Sequence, residues 1–238
     1  MWAKGANFKL TGILLICLVM MTAASEAAVG VKIDYLNRYI WRGFDLNPDN
    51  NFVVQPSLDF TFPESRWSIN LWHSMSAEEH QLNEIDLTFN YDFETSENIS
   101  VSAGLIHYGW YWVNDFNQNN HTTIETYVAI AWDKLALSPK LSFNHDCKNG
   151  NGLYTQLSLS KEIALSKTQN LEISSALGYN RKQWINKSGF TDLSMTASLP
   201  LTSGKATITP FMGISWTLMK EINPDVSREY WLGLSLEF

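Results

Sequence analysis

The last nine residues of the chain, Tyr230 to Phe238, alternate strictly between apolar side chains and small or polar ones. One face carries Tyr230, Leu232, Leu234, Leu236 and Phe238, and the other carries Trp231, Gly233, Ser235 and Glu237. This period of two predicts a β-strand with one apolar and one polar side. Soluble chains seldom end on such a strand, because termini fray. In a closed membrane barrel the last strand pairs with the first, so that no edge remains.

Eleven further segments of period two precede this strand, at about 30–42, 52–62, 66–75, 84–93, 99–112, 123–132, 135–146, 153–163, 171–181, 191–201 and 206–217. Short turns alternate with longer polar loops between them, as in transmembrane barrels. We therefore predict an all-β fold: a closed, up-and-down antiparallel transmembrane β-barrel of about twelve strands. A soluble β-sandwich or lectin would also explain the alternation. It does not readily explain twelve long segments, alternating loop lengths and a terminal aromatic strand together.

The first residues have the composition of a secretory signal peptide. Lys4 and Lys9 precede an apolar run from Leu10 to Met21, and small residues stand where cleavage after Ala27 requires them. The run is short for a membrane anchor, and no second long apolar stretch follows. We expect a signal peptide over 1–27, one barrel domain over 28–238, and export to the outer membrane of a Gram-negative bacterium.

Composition excludes several classes of function. The formal net charge is −7, and no basic patch or arm indicates a nucleic-acid partner. Cys17 leaves with the signal peptide and Cys147 is then alone, so neither an intramolecular disulfide nor a cysteine-rich metal site can form. The His residues include no close pair typical of a zinc site. No metal, cofactor or catalytic residue is predicted. The chain has 10 Trp, 9 Tyr and 12 Phe, which we expect to gather in girdles at the membrane interfaces.

The N-terminal stretch VKIDYLNRYIWRGFDLNPDNNFVVQPSLDFTF resembles the start of the TorF-like porin family. Trp41-Arg42-Gly43 and the stretch from Gln55 to Phe60 carry the likeness, and Asn83–Tyr91 and Asn144–Leu159 agree more loosely. This resemblance implies an outer-membrane barrel and a pore. The terminal strand (Tyr230, Leu232, Leu234, Leu236 and Phe238) is similar to the C-terminal strand of bacterial outer-membrane proteins, which implies recognition by the barrel-assembly machinery.

The polar face of each strand should line the barrel interior and contact small solutes, while the apolar face contacts outer-membrane lipid. The charged candidates for the pore lining are Asp34, Arg38, Arg42, Asp59, Glu84, Asp86, Asp92, Glu125, Lys140 and Glu172. They could form a charged constriction of a porin through which small hydrophilic solutes diffuse passively. The acidic excess then favours cations or neutral solutes. Alternatively, Arg38 and Arg42 pair with acids on the second and fourth strands, and the barrel is a non-conducting structural protein.

Two other functions stay open. His145 and Cys147 lie two residues apart and are followed by Asn149-Gly150, a spacing similar to the His and Ser of outer-membrane phospholipase A. Cys stands where that family has Ser, and no orienting third residue is evident. The aromatic and Asn-rich loop Trp110–Asn120 could instead bind a carbohydrate or a protein partner at the cell surface.

Overall fold

The computed structural model describes residues 27–47, 51–62, 64–78, 82–110, 122–222 and 227–238. Twelve strands form the barrel: β1 (Ala28–Leu36), β2 (Val53–Phe62), β3 (Trp67–Ser76), β4 (Leu82–Phe93), β5 (Ser100–Trp110), β6 (Thr122–Ala131), β7 (Lys140–Asp146), β8 (Gly152–Ala164), β9 (Asn170–Arg181), β10 (Ser188–Ser198), β11 (Ala206–Thr217) and β12 (Arg228–Glu237). Residues 1–26 of the predicted signal peptide lie outside the described residues. In the described ranges, no helix has the length and apolar character needed to cross a membrane.

The barrel closes through its first and last strands. Each strand pairs antiparallel with the strand that follows it in the chain, and β12 pairs with β1 from Lys32↔Glu237 to Leu36↔Gly233. Val31 and Phe238 exchange backbone hydrogen bonds of 3.3 and 3.0 Å beyond this register. The closed antiparallel architecture and the pairing of the terminal strand with the first strand are as predicted. Leu201–Ser203, after a break at Pro200, pairs with the start of β11.

The outer face of the strands is apolar and the inner face is polar, as a membrane barrel requires. On β12, Tyr230 and Leu232 are 58% and 56% exposed on the outer face, whereas Ser235 is buried inside. Among the described residues, most fully buried side chains are polar, the reverse of a water-soluble core. An apolar exterior around a polar interior is stable where the exterior contacts lipid.

Aromatic side chains cluster near both ends of the outer face. Tyr35 stacks on Phe52 at 4.8 Å between ring centroids, at the end of the barrel that bears the long loops. Trp67 contacts Tyr91 at 4.8 Å, near the end that bears the short turns. We call these ends the long-loop end and the short-turn end. Two aromatic bands at opposite ends of an apolar belt correspond to the two polar–apolar interfaces of a bilayer.

Two strands are shorter than the sequence pattern predicts. β1 ends at Leu36 instead of residue 42, because residues 37–47 leave the wall. β7 begins at Lys140 instead of residue 135, because successive turns follow Trp132, in which Leu135 N–H bonds to the Trp132 carbonyl and Ser138 N–H to the Leu135 carbonyl. Ser138 adopts a φ of 36° before Pro139, which cannot donate to a strand ladder. The alternating Leu135 and Leu137 therefore belong to a turn.

Candidate functional site

Residues 37–47, the inner hairpin, connect β1 to β2 and fold into the barrel. Ile40–Trp41 pairs with Phe44–Asp45 around the two central residues Arg42 and Gly43. These two residues have φ values of 51° and 83°. Positive φ at both positions defines the type I′ turn, whose twist matches that of the strands it joins. Glycine meets this requirement without strain. The Arg42-Gly43 dipeptide thus reverses the chain and places Arg42 at the hairpin tip.

The inner hairpin spans the lumen from one wall to the other. At its base, Arg38 Nη1 lies 2.6 Å from Asp45 Oδ2 and 2.5 Å from Glu229 Oε2 of β12. At its tip, Arg42 reaches Glu125 of β6. In a ring of twelve strands, β6 stands almost opposite β1. The hairpin therefore narrows the lumen across its full width.

The tip of the inner hairpin is held at one position by side chains of the barrel wall, and we call this set of contacting side chains the seat. Arg42 donates two hydrogen bonds of 2.7 Å to the two carboxylate oxygens of Glu125, and a third of 2.7 Å to Gln183 Oε1. Gln183 Nε2 and the Tyr108 hydroxyl donate to the same carboxylate at 2.9 and 3.2 Å. Glu125 is fully buried. A bidentate arginine–carboxylate pair with all its neighbours hydrogen-bonded is the arrangement in which a buried pair is stable.

Aromatic rings enclose the seat on several sides. The Arg42 guanidinium lies 4.5 Å from the Trp41 ring centroid and 4.4 Å from that of Tyr154 on β8. Trp41 also packs edge-on against Tyr108 of β5 at 5.9 Å. Tyr39 packs against the inward-facing Trp72 of β3 at 5.6 Å. These contacts hold the hairpin to the wall at positions around the ring as well as at its two ends.

Acidic side chains line the wall beside the hairpin. Asp192 of β10 accepts hydrogen bonds from the Tyr154 hydroxyl at 3.2 Å and from the Thr191 hydroxyl at 2.7 Å. A Cβ on Gly43 would lie 3.0 Å from the Asp192 Cβ, so the turn packs closely on this wall. Glu84 and Asp86 of β4 are also buried on the inward face. The constriction thus contains two arginines, Arg38 at the base of the hairpin and Arg42 at its tip, among several carboxylates.

The charged residues proposed from the sequence lie on the interior side, but two of them are not on a strand. Inward-facing strand positions hold Asp34, Asp59, Glu84, Asp86, Asp92, Glu125, Lys140 and Glu172. Arg38 and Arg42 lie in the inner hairpin. The expected pairing of Arg42 with an acid on the second or fourth strand is wrong, because the turn carries Arg42 across to Glu125 of β6.

The sequence pattern did not single out several residues of the seat. Tyr108 and Tyr154 occupy inward-facing strand positions, so their alternation is the cue that could have found them. Gln183 lies in the connection between β9 and β10, where no periodicity exists. Its position depends on Asn180, whose side-chain oxygen accepts the Gln183 backbone N–H at 3.1 Å.

In the described part of the chain, two cavities lie in the lumen between the inner hairpin and the short-turn end. The larger has a volume of about 700 Å³ and is bordered by β1, β2 and β9–β12. Its charged residues are Lys32, Asp34, Glu172 and Glu237. The smaller has a volume of about 470 Å³, lies along β6–β8, and includes Arg42 and Lys140. The lumen between the hairpin and the short-turn end is therefore hollow and polar, and acidic residues outnumber basic ones around the larger cavity.

The long-loop end carries two further features. Lys187 Nζ lies 2.6 Å from Glu221 Oε1 and joins the β9–β10 and β11–β12 connections. The hydrogen bond from Lys187 lowers the pKa of the exposed Glu221 carboxyl. Cys147 Sγ lies 3.4 Å from His145 Nδ1, and both side chains are exposed. Among the described residues, no carboxylate or amide side chain is hydrogen-bonded to the His145 ring. Residues 111–120 of the proposed surface-binding loop lie outside the described ranges.

No protein-family model and no curated protein matches the chain, so the resemblance to TorF-like porins stays an expectation. Solved structures do match in fold. The chain is similar to the KdgM porin, with a TM-score of 0.57 and 11% identity over 88% of this chain and 98% of that one. It is also similar to the NanC porin, with a TM-score of 0.54 and 12% identity over 89% of this chain and 99% of that one. A third similar structure is the COG4313 outer membrane channel from Pseudomonas putida F1, with a TM-score of 0.51 and 11% identity over 89% of this chain and 94% of that one. The chain thus has the fold of porin-like outer-membrane barrels.

Proposed function

We propose that this protein is an outer-membrane channel through which small hydrophilic solutes diffuse passively, past a constriction formed by the inner hairpin. The observation that carries the proposal is a hollow, polar lumen between the short-turn end and the inner hairpin, which crosses the barrel. Barrels of about eight strands are filled by their own side chains. In this chain the inner hairpin narrows the lumen, and the two described cavities remain open beside it.

The location in the bacterial outer membrane rests on separate support. The exterior carries an apolar belt between two aromatic bands, and the strands close without an edge. The solved structures that share the fold include two porins and an outer membrane channel. We propose outer-membrane lipid and the barrel-assembly machinery as partners, with a cleaved signal peptide as the route of export.

Liposome swelling tests the proposed function. The protein is refolded into vesicles, and its folding is checked by the mobility difference between heated and unheated samples on a gel. We expect vesicles with folded protein to swell in isotonic solutions of small sugars, at rates that fall as solute size rises. Swelling no faster than that of protein-free vesicles would contradict a channel and favour a non-conducting barrel.

A phospholipase-like activity is the second candidate, and the 3.4 Å contact between Cys147 and His145 is the observation that favours it. Fatty-acid release from mixed micelles, with and without calcium, distinguishes the two functions. A channel without this activity releases none, and Cys147→Ala then behaves as the wild type. Release that is lost in Cys147→Ala would establish catalysis.

A further inference from the structure

Two aromatic side chains form a shelf on the wall of the larger cavity. Trp231 of β12 and Phe211 of β11 both line it. Each ring lies over a glycine of the other strand, Trp231 over Gly213 and Phe211 over Gly233, where a Cβ would overlap the ring. The two glycines therefore let the rings lie against the backbone. This arrangement provides apolar ring surface within an otherwise polar lumen.

A row of polar side chains crosses the same wall next to the shelf. Gln55, Asp34, Ser235 and Thr209 stand in register on β2, β1, β12 and β11. All four line the larger cavity. The row lies two residues from the shelf along each strand, because Ser235 follows Gly233 and Thr209 precedes Phe211.

Three atoms of this polar row have no hydrogen-bond partner in the described part of the chain. They are Gln55 Nε2, Asp34 Oδ1 and Ser235 Oγ, each of which is buried. Gln55 and Ser235 are only 7% and 4% exposed. A buried polar atom left unpaired is destabilising by about 1–3 kcal/mol, so such atoms normally mark a position where something else bonds. The side chains that carry this donor, this acceptor and this hydroxyl all line the larger cavity, so a small rotation of each can bring the atom to a bound molecule.

We infer that the larger cavity is a binding site for a neutral saccharide on its way through the channel. A sugar ring has an apolar C–H face, which can pack on Trp231 and Phe211, and hydroxyls that both donate and accept hydrogen bonds. Those hydroxyls match the Gln55 amide, the Asp34 carboxylate and the Ser235 hydroxyl. The cavity volume of about 700 Å³ is that of a typical small-molecule site.

The charges of the cavity decide between neutral and anionic sugars. Asp34, Glu172 and Glu237 line it against the single cation Lys32. Lys32 lies 3.1 Å from Asp34 Oδ2 and is thereby paired. A carboxylated sugar would bring further negative charge next to these acids, which is unfavourable at short range. The site therefore selects uncharged sugars. This inference deepens the proposed function and rests on it for the passage of the sugar through the lumen.

Titration calorimetry of refolded protein in a detergent without a sugar head group tests the site. The probes are maltotriose as the neutral saccharide and trigalacturonate as the anionic one. We expect saturable binding of maltotriose and markedly weaker binding of trigalacturonate. Absence of heat with maltotriose in correctly folded protein, or equal binding of both probes, would overturn the inference.

Matched variants locate the binding. Trp231→Leu should weaken maltotriose binding about tenfold, and Trp67→Leu, at an exposed tryptophan on the outer face, should leave it unchanged. Gln55→Leu and Ser235→Ala keep the shelf and remove one hydrogen bond each, so they test the site even where Trp231→Leu fails to fold. We expect each to weaken binding several-fold. Unchanged affinity in both, or an equal loss in Trp67→Leu, would contradict the assignment.

The binding measurement tests the saccharide site and the swelling measurement tests the channel, so either proposal can be refuted without the other. Binding in micelles requires no conduction, so maltotriose binding without vesicle swelling would refute the channel and leave the saccharide site. Swelling with small sugars but no calorimetric binding, with Trp231→Leu unchanged, would refute the saccharide site and leave the channel.

Discussion

Arg42 and Glu125 are separated by 83 residues in the chain and meet inside the barrel through two hydrogen bonds of 2.7 Å. The arginine belongs to the connection after β1, and the glutamate belongs to β6 on the far wall. The pair therefore fixes a connection across the space that a solute would have to cross. Whether the inner hairpin stays in that position depends on this contact and on the aromatic rings around it.

Removing the Arg42 charge should destabilise the protein, because Glu125 would be left buried without its cation. We expect Arg42→Met to lower the free energy of unfolding by about 3 kcal/mol, measured by urea unfolding in lipid vesicles. Arg66→Met, which breaks the exposed pair with Glu94, is the control and should change stability by no more than about 1 kcal/mol. Glu125→Met completes the cycle, and the double variant Arg42→Met/Glu125→Met should lose less free energy of unfolding than the sum of the losses in the two single variants. Strict additivity would show that the pair contributes nothing.

A side chain at Gly43 should displace the inner hairpin. Gly43→Ala places a Cβ on a left-handed residue, at a strain of about 1 kcal/mol, and against Asp192. Gly204→Ala is the matched control, since its φ is also positive (64°) and no atom lies within 4 Å of its Cβ position. Trypsin cleavage after Arg42, followed by mass spectrometry, should accelerate about fivefold or more in Gly43→Ala alone. Equal cleavage in both variants would show that the hairpin does not depend on this turn.

The strands could be predicted from the sequence, because period two has a direct physical cause in a wall with lipid on one side and a polar lumen on the other. The inner hairpin could not, because residues 38–44 also alternate and read as a continuation of β1. Its position is set by Glu125 and Gln183, which are distant in sequence. The local cue was the Arg42-Gly43 dipeptide between Trp41 and Phe44, since a glycine there favours a two-residue turn. The strand prediction for the five residues 135–139 was wrong for a similar reason, because the turn at Ser138 overrides the apolar alternation of Leu135 and Leu137.

The acidic side chains of the larger cavity should make the channel prefer cations. Glu172→Gln/Glu237→Gln should shift the reversal potential in a potassium chloride gradient toward zero. Glu97→Gln, on an exposed short turn, should leave it nearly unchanged. The difference should shrink near 1 M salt, where the screening length is about 3 Å. Anion preference in the wild-type channel would contradict the account of the lumen charges.

The terminal Phe238 should matter for assembly more than for the finished barrel. Its backbone bonds to Val31, but its ring is 59% exposed on the outer face. We expect Phe238→Ala to refold into vesicles in vitro as well as the wild type, and to give less heat-modifiable protein in the outer membrane of cells. Normal assembly in cells would argue against the terminal strand as the recognition element.

Single-channel recording of the wild type beside a hairpin variant tests the central claim most directly. In the variant, residues 39–45 are replaced by a Gly/Ser segment of equal length, and a control carries the same kind of replacement at the short turn 165–169. If the inner hairpin constricts a conducting lumen, the wild type shows discrete current steps, the hairpin variant shows larger steps, and the turn control matches the wild type. Equal currents in the wild type and the hairpin variant, or no current from either in folded protein, would contradict the account.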